Sequence, residues 1–379
     1  MEEDKKLKKK VLTLVLCAVL MAMMAVLPGC NQQQTGAASD GSESQSPYAG
    51  TTINVWNWGE YISDGEDGSM KVNDEFTKRT GIKVDYQVYQ TNEELYTMMK
   101  LDSSNMDVVI PSDYMIGKMI NEDMLEKLNF DNIPNFQYID TQFQNLEYDP
   151  QNEYSVPYTW GTVGIFYNTA MVDEEDVEDL SWDLLWNEKY AGKILMFDNP
   201  RDAFAIAQAK LGISMNTTKE EELQRAAEEL KKQKPLLQAY VMDQIFDKMA
   251  GGEAAIAPYY AGDGIVMMEE NENIEFGVPK EGANRFVDAM CVPKGSKNKG
   301  AAEAYINFMC ETDIAVANAE TIGYSTPQTE AKKELDPEIV NNPNFYPPEE
   351  VLKRTEIFLT LPDDVNRLMD DLWIQIKNG

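Results

Sequence analysis

The chain has no histidine at all and only four cysteines in 379 residues. Without an imidazole, the Ser-His-Asp and Cys-His nucleophile systems are excluded, as is every zinc site that uses histidine. No Cys-x-x-Cys pair occurs. Basic residues are scarce too: 33 Lys and Arg face 65 Asp and Glu, for a formal charge of −32. Phosphate backbones are held by clustered cations, so the balance argues against nucleic acid as a partner. No Gly-Lys-Ser/Thr closes a phosphate loop, and Gly262-Asp263-Gly264 lacks the third glycine of a dinucleotide turn. Asp64-Gly65-Glu66-Asp67-Gly68 is acidic but out of register for an EF-hand, and Asp173-Glu174-Glu175-Asp176 reads as a solvated face. Neither a cofactor nor a metal is expected, and any catalysis would have to run on carboxylates.

What is present is a globular composition, 43% hydrophobic and 26% charged. The length exceeds what one hydrophobic core usually serves, so two lobes are expected. At the N-terminus, Lys5, Lys6, Lys8, Lys9 and Lys10 precede a run from Val11 to Leu27 that is apolar apart from Thr13. A cationic start, an apolar segment and small residues before the break read as a secretory signal over residues 1–29. A short transmembrane anchor is the alternative. Leu27-Pro28-Gly29-Cys30 resembles the bacterial lipobox, which implies lipid on Cys30 and an extracytoplasmic protein held to the membrane. Residues 31–50 contain no Leu, Ile, Val or Phe, so 30–50 is expected to be a flexible tether. Loss of the signal removes five lysines and three acids, leaving the mature chain more acidic still. Of the cysteines beyond it, Cys291 and Cys310 both lie in apolar patterns and are expected as buried free thiols.

The folded part alternates strand and helix patterns. Thr52 to Trp58 alternates, a helical stretch runs to a capping Gly81, and Lys83 to Tyr89 alternates with Val84, Tyr86 and Val88 on one face. Thr91-Asn92-Glu93-Glu94 is a capping box, and Met106 to Pro111 reads as a buried strand. This β-α-β-α-β order implies a parallel sheet with helices on its faces, with ligands at the carboxyl ends of the strands. Thr162–Tyr167 and Ala254–Tyr259 read as further strands. Thr218 is expected to cap a helix whose Leu223, Ala226, Ala227 and Leu230 share one face.

Six strings then point one way. They are Asn57-Trp58-Gly59-Glu60-Tyr61, Val109-Ile110-Pro111-Ser112-Asp113-Tyr114, Tyr154-Ser155-Val156-Pro157-Tyr158-Thr159-Trp160-Gly161, Pro279-Lys280-Glu281-Gly282, Phe286-Val287-Asp288, and Glu320-Thr321-Ile322-Gly323-Tyr324-Ser325-Thr326-Pro327. In this order they resemble the spermidine/putrescine-binding receptors of ABC importers, over essentially the whole mature chain. The resemblance implies an α/β periplasmic-binding-protein type II fold: two lobes, a ligand cleft between them and a two-crossover hinge. It places the first lobe at 51–160 plus 288–331 and the second at 161–287 plus 332–379. It further implies a monomer that closes on a polyamine and docks on a membrane permease.

The chemistry is consistent with that ligand. A polyamine is an alkyl chain bearing ammonium groups at fixed spacing, so its site needs carboxylates at the ends and aromatic faces along the methylenes. The carboxylates at family ligand positions are Glu60, Asp202, Asp263 and Asp288; the aromatics are Trp58, Tyr61, Tyr114, Tyr260, Phe286 and Tyr324, with Ser112 as a hydroxyl partner. Each has a plainer reading: Trp58 and Phe286 as core rings, Asp202 as a helix cap or a partner of Arg201, Tyr260 to Asp263 as a polar turn. Where the family's spermidine type carries an acid and a glutamine, this chain has Asn199 and Leu359, which leans toward putrescine. A receptor for thiamine or ferric iron is one alternative, and a carboxylate glycosidase using Glu60 and Asp288 is another.

Overall fold

The computed structural model describes residues 46–379. The expected signal, Cys30 and the tether as far as residue 45 lie outside the described residues. Residues 47–50 form a turn, and the Gly50 N–H donates to the Gly81 carbonyl at 2.8 Å, so the folded part begins slightly before the first strand.

Nine strands are described: β1 Thr52–Trp58, β2 Lys83–Tyr89, β3 Val108–Val109, β4 Ser155–Asn168, β5 Ile194–Phe197, β6 Leu237–Val241, β7 Ile256–Tyr260, β8 Ile274–Gly277 and β9 Arg285–Cys291. The longer helices are α1 Val72–Thr80, α2 Asn92–Asp102, α3 Asp113–Asn121, α4 Pro200–Lys210, α5 Glu220–Gln233, α6 Lys299–Met309, α7 Thr312–Ile322 and α8 Asp363–Asn378. β1 pairs in parallel with β2 and β3, the pattern that the alternating order implied. The full order is β2-β1-β3-β9-β4-β7-β5-β6, with β8 on β4.

Several local expectations hold, and others shift for identifiable reasons. Gly81 ends α1 in the left-handed region at φ 74°, a position that favours glycine. The Thr91 hydroxyl accepts from Glu94 N–H, but the Glu94 carboxylate reaches back to Gln90 N–H rather than to Thr91. Alternation fails at the end of β2, where Val88 is exposed and Tyr89 turns into the core. The helix at 220–233 buries Leu223, Ala226, Ala227 and Leu230, yet Lys219 is its N-cap, and Thr217, not Thr218, supplies the nearby hydroxyl. β3 is only two residues long because the chain turns directly into the loop before α3.

Two hydrophobic cores result. One gathers Ile53, Val55, Phe76, Val108, Ile116, Val156, Val287, Ile306 and Phe308; the other gathers Ile165, Phe166, Trp182, Leu195, Phe197, Phe204, Leu223, Ile256 and Trp373. Burying such side chains is the main favourable term for each. β4 joins them: it pairs with β9 from Ser155 to Thr162, then with β7 from Val163 to Tyr167. β9 makes the second crossover, and beside it Arg285 N–H donates to Glu356 O at 2.9 Å. This is the two-lobe α/β architecture expected. Cys291 and Cys310 are both free and buried.

Candidate functional site

The site residues come from loop ends and strand ends where the two cores meet. Tyr114 and Tyr260 each pack against both cores. On the first side, Asp288 is held within β9 and is only 5% exposed. Tyr61 donates its hydroxyl to Asp288 Oδ2 at 2.6 Å and lies 2.6 Å from the Thr159 hydroxyl. Asp288 Oδ1 is buried with no hydrogen-bond partner. Ser112 bridges Asp288 across the sheet edge, and its hydroxyl accepts from Asn92 Nδ2 at 3.1 Å.

On the second side, Asp202 sits in the first turn of α4, also 5% exposed. Its Oδ2 accepts from Asn199 Nδ2 at 2.7 Å and from the Tyr260 hydroxyl at 2.9 Å. The helix cap is Asn199, whose Oδ1 accepts from Arg201 N–H at 2.9 Å. The guanidinium of Arg201 lies 4.4 Å over the Phe358 ring and donates to Asn216 Oδ1 at 2.9 Å and Leu359 O at 3.2 Å. Neither plain role, cap or direct partner of Arg201, is therefore what Asp202 does. Asp263 accepts from the Tyr324 hydroxyl at 2.9 Å, a bond that joins the two sides.

The aromatic residues connect these acids. Tyr61 and Tyr324 lie 5.0 Å apart, Phe286 and Tyr324 6.0 Å, and Tyr260 and Phe286 5.4 Å, each edge to face. Two glycines make room for them. A Cβ on Gly161 would come within 2.7 Å of Phe286 Cζ, and one on Gly262 within 2.4 Å of Tyr324 Cδ2. Tyr114 stands edge-on to Phe358 at 6.3 Å and donates to Glu93 Oε1 at 2.9 Å.

Two of the sequence candidates stand apart. Trp58 packs on Tyr89 at 4.7 Å and donates its Nε1–H to Ile110 O at 2.9 Å. Glu60 is exposed, at φ 50°, with no side-chain hydrogen bond to the described residues. Conversely, Thr159, Asn92 and Glu93 bond to the cluster without having been ligand candidates, and Asn199, noted only for the acid it replaces, bonds to Asp202. Thr159 stood inside a quoted string, but nothing in its spacing marks a hydroxyl aimed at an acid.

Burial pushes the carboxyls of Asp202 and Asp288 up to about 6 and that of Asp263 to about 7, with the tyrosine hydroxyls pulling each back. Burial and the adjacent acids hold Tyr61, Tyr260 and Tyr324 well above the usual phenol range. No group of three His, Cys, Asp or Glu placed to hold a metal ion occurs among the described residues. Three carboxyls on an aromatic frame, one with an oxygen that makes no hydrogen bond, have the chemistry that suits an organic cation.

Residues 71–347 match the family described as bacterial extracellular solute-binding protein. The chain belongs to that family. The spermidine/putrescine-binding periplasmic protein of Salmonella typhimurium is 34% identical over 345 residues, covering 91% of this chain and 97% of that protein. Among solved structures, the spermidine/putrescine ABC transporter substrate-binding protein PotD of Streptococcus pneumoniae superposes with a TM-score of 0.77 at 36% identity, covering 86% of this chain and 99% of that one. The TpPotD lipoprotein of Treponema pallidum gives 0.74 at 26% identity, with the same coverage. Solute-binding proteins of this family serve transport, so the glycosidase alternative falls.

Proposed function

We propose that the protein is an extracytoplasmic receptor that captures a short polyamine and delivers it to an ABC permease. The observation that carries this reading is Asp288: buried, bonded through one oxygen to Tyr61, and with no well-formed hydrogen bond at the other, where only the Ser112 hydroxyl lies close enough to favour its charge. A buried carboxylate oxygen without a partner is costly, and an ammonium supplies both the charge and the N–H donors that relieve it. The rings of Tyr61, Phe286 and Tyr324 then line the path of the methylenes. Asp263 and Asp202, from the opposite lobe, face a second ammonium, with Ser112, Tyr114 and Tyr260 completing the walls and Trp58 and Glu60 flanking the entrance. Relatives named for spermidine and putrescine support this ligand class.

Because the Tyr324–Asp263 bond and the Tyr260–Phe286 contact join the two lobes, a ligand gripped by both favours the closed form by its differential affinity. The lobes are taken as 51–160 plus 288–331 and 161–287 plus 332–379, with one revision: Tyr346 and Leu352 pack on the first core, which favours carrying the first lobe's return segment on to about 352. Cys30 is the proposed lipid attachment, a reading supported by the lipobox-like string and by the Treponema lipoprotein. The receptor acts as a monomer. Calorimetric titration of the mature domain with putrescine, cadaverine, spermidine and spermine tests the proposal. Saturable 1:1 binding of at least one amine is expected. A response to thiamine or ferric iron and to none of the amines would replace it.

A further inference from the structure

The strand that carries Phe286 and Asp288 has an edge that its neighbour does not cover. β3 is two residues long and meets β9 at one pair, Val109 opposite Cys291. Toward the cleft, the loop after β3 continues the ladder: Ala289 N–H donates to Pro111 O at 3.1 Å, and Ser112 bridges Asp288. The next donor on that edge is Val287 N–H. No main-chain carbonyl meets it, because α3 begins at Asp113 and turns the backbone away. The Asp113 side chain fills the position: Oδ2 accepts from Val287 N–H at 3.1 Å and Oδ1 from Tyr114 N–H at 2.7 Å.

Asp113 is 0% exposed and belongs to none of the ligand-facing residues above. Burial holds its carboxyl well above the ordinary range, and the two backbone N–H donors and the nearby charge of Arg201 pull it back. A buried acid is expensive to keep, and a surface-type cap would not need one. Two backbone donors converging on one side chain do need one, since a carboxylate offers an acceptor oxygen to each whereas an amide offers one oxygen and a competing NH2.

We propose that Asp113 is a positioning residue for ligand: it stands in for a missing carbonyl on the open edge of β9, aims Phe286 and Asp288 at the cleft, and ties them to Tyr114. Phe286 and Asp288 share a face of the strand because side chains alternate, and Val287 between them is the point at which the strand is gripped. The role rests on the polyamine reading for the identity of the ligand but not for the geometry.

The test is Asp113→Asn, measured by calorimetry with putrescine and spermidine, alone and combined with Asp288→Asn, together with amide hydrogen exchange of the ligand-free protein. In the otherwise wild-type background the expected loss is about tenfold for both amines. With Asp288 already replaced, it should shrink to about twofold or less, because residues acting through one another are not additive. The Val287 amide should exchange about tenfold faster while the amides of β5 and β6 keep their rates. Equal losses in both backgrounds, an unchanged affinity, or an unchanged Val287 amide would each overturn the role. Should Asp113→Asn fail to fold, Asp113→Ser, which leaves a single acceptor one bond nearer the backbone, carries the same measurements. A wild-type protein that binds no amine sinks the ligand reading alone, and exchange at Val287 still decides what Asp113 does.

Discussion

The two ends of the cleft hold their acids in different ways. Asp288 lies within a sheet, on a strand flanked by β4 and by the loop after β3, and one of its oxygens has no donor. Asp202 is equally buried but rides the first turn of a helix, where Asn199 and Tyr260 both donate to its Oδ2. The first end leaves one carboxylate oxygen without a hydrogen bond; the second has two donors on a single oxygen. An unsatisfied buried acceptor costs about 1–3 kcal/mol, more when charged. On the proposed reading a ligand ammonium gains more at Asp288 than at Asp202, although the two acids are of one type and similar burial. Which donors an acid already has, rather than how deeply it is buried, sets what a ligand is worth to it.

The largest expected effect follows from this. Asp288→Asn leaves the bound ammonium desolvated without its counter-charge, which costs about 3–5 kcal/mol. Calorimetry should show affinity for diamines and triamines falling by about 10²–10³-fold. Wild-type affinity in that variant would detach Asp288 from the ligand. Asp202→Asn comes next. It removes one charge-assisted bond, about 1.5–3 kcal/mol, from an end where Asn199 and Tyr260 remain as polar partners. A loss of about 10–100-fold is expected. If the two variants lost the same amount, the contrast between the ends would be broken.

Most of the fold was legible because it rests on local rules. Gly81 had to be left-handed at a helix end, and Leu223, Ala226, Ala227 and Leu230 recur at helical spacing, so both were readable without a structure. Val88 was not: it still pairs with Asn57 of β1, and its exposure depends on which neighbouring elements cover that face, which alternation does not report. At the site, the acids and rings of the quoted strings were found through resemblance, and the structure joins most of them into one cluster. Asn199 meets Asp202 within a single helix turn, but the other partners, Thr159 for Tyr61 and Asp113 for Val287, are tertiary contacts. Thr159 and Tyr61 are 98 positions apart in sequence, and Asp113 and Val287 are 174 apart. No periodicity reports such pairs. The bond from the Trp58 indole N–H to Ile110 O is another contact that its string does not announce.

The smallest expected effect is on pH dependence, and it sharpens the comparison by asking whether the ends are charged before ligand arrives. In the free cleft burial raises Asp202 and Asp288 to about 6 and Asp263 to about 7. An alkyl ammonium resembles lysine, near 10.4, and stays charged throughout. Binding then expels protons from the acids, and affinity rises with pH, by at most about tenfold per pH unit for each proton released. Ligand-free stability runs the other way. These folded-state values lie above the unfolded carboxylate's ~3.9, so their contribution is complete below that and is lost as pH rises through about 6 to 7. Thermal unfolding with and without putrescine, at about pH 5.5 and about pH 8, separates the two signs: the rise in midpoint caused by the amine should be larger at the higher pH. Asp263→Asn should remove the part of that change lying nearest neutrality. An amine-induced shift independent of pH would mean that every acid is ionised in the empty cleft, and the unpartnered oxygen of Asp288 would then carry a full charge that its surroundings do nothing to neutralise.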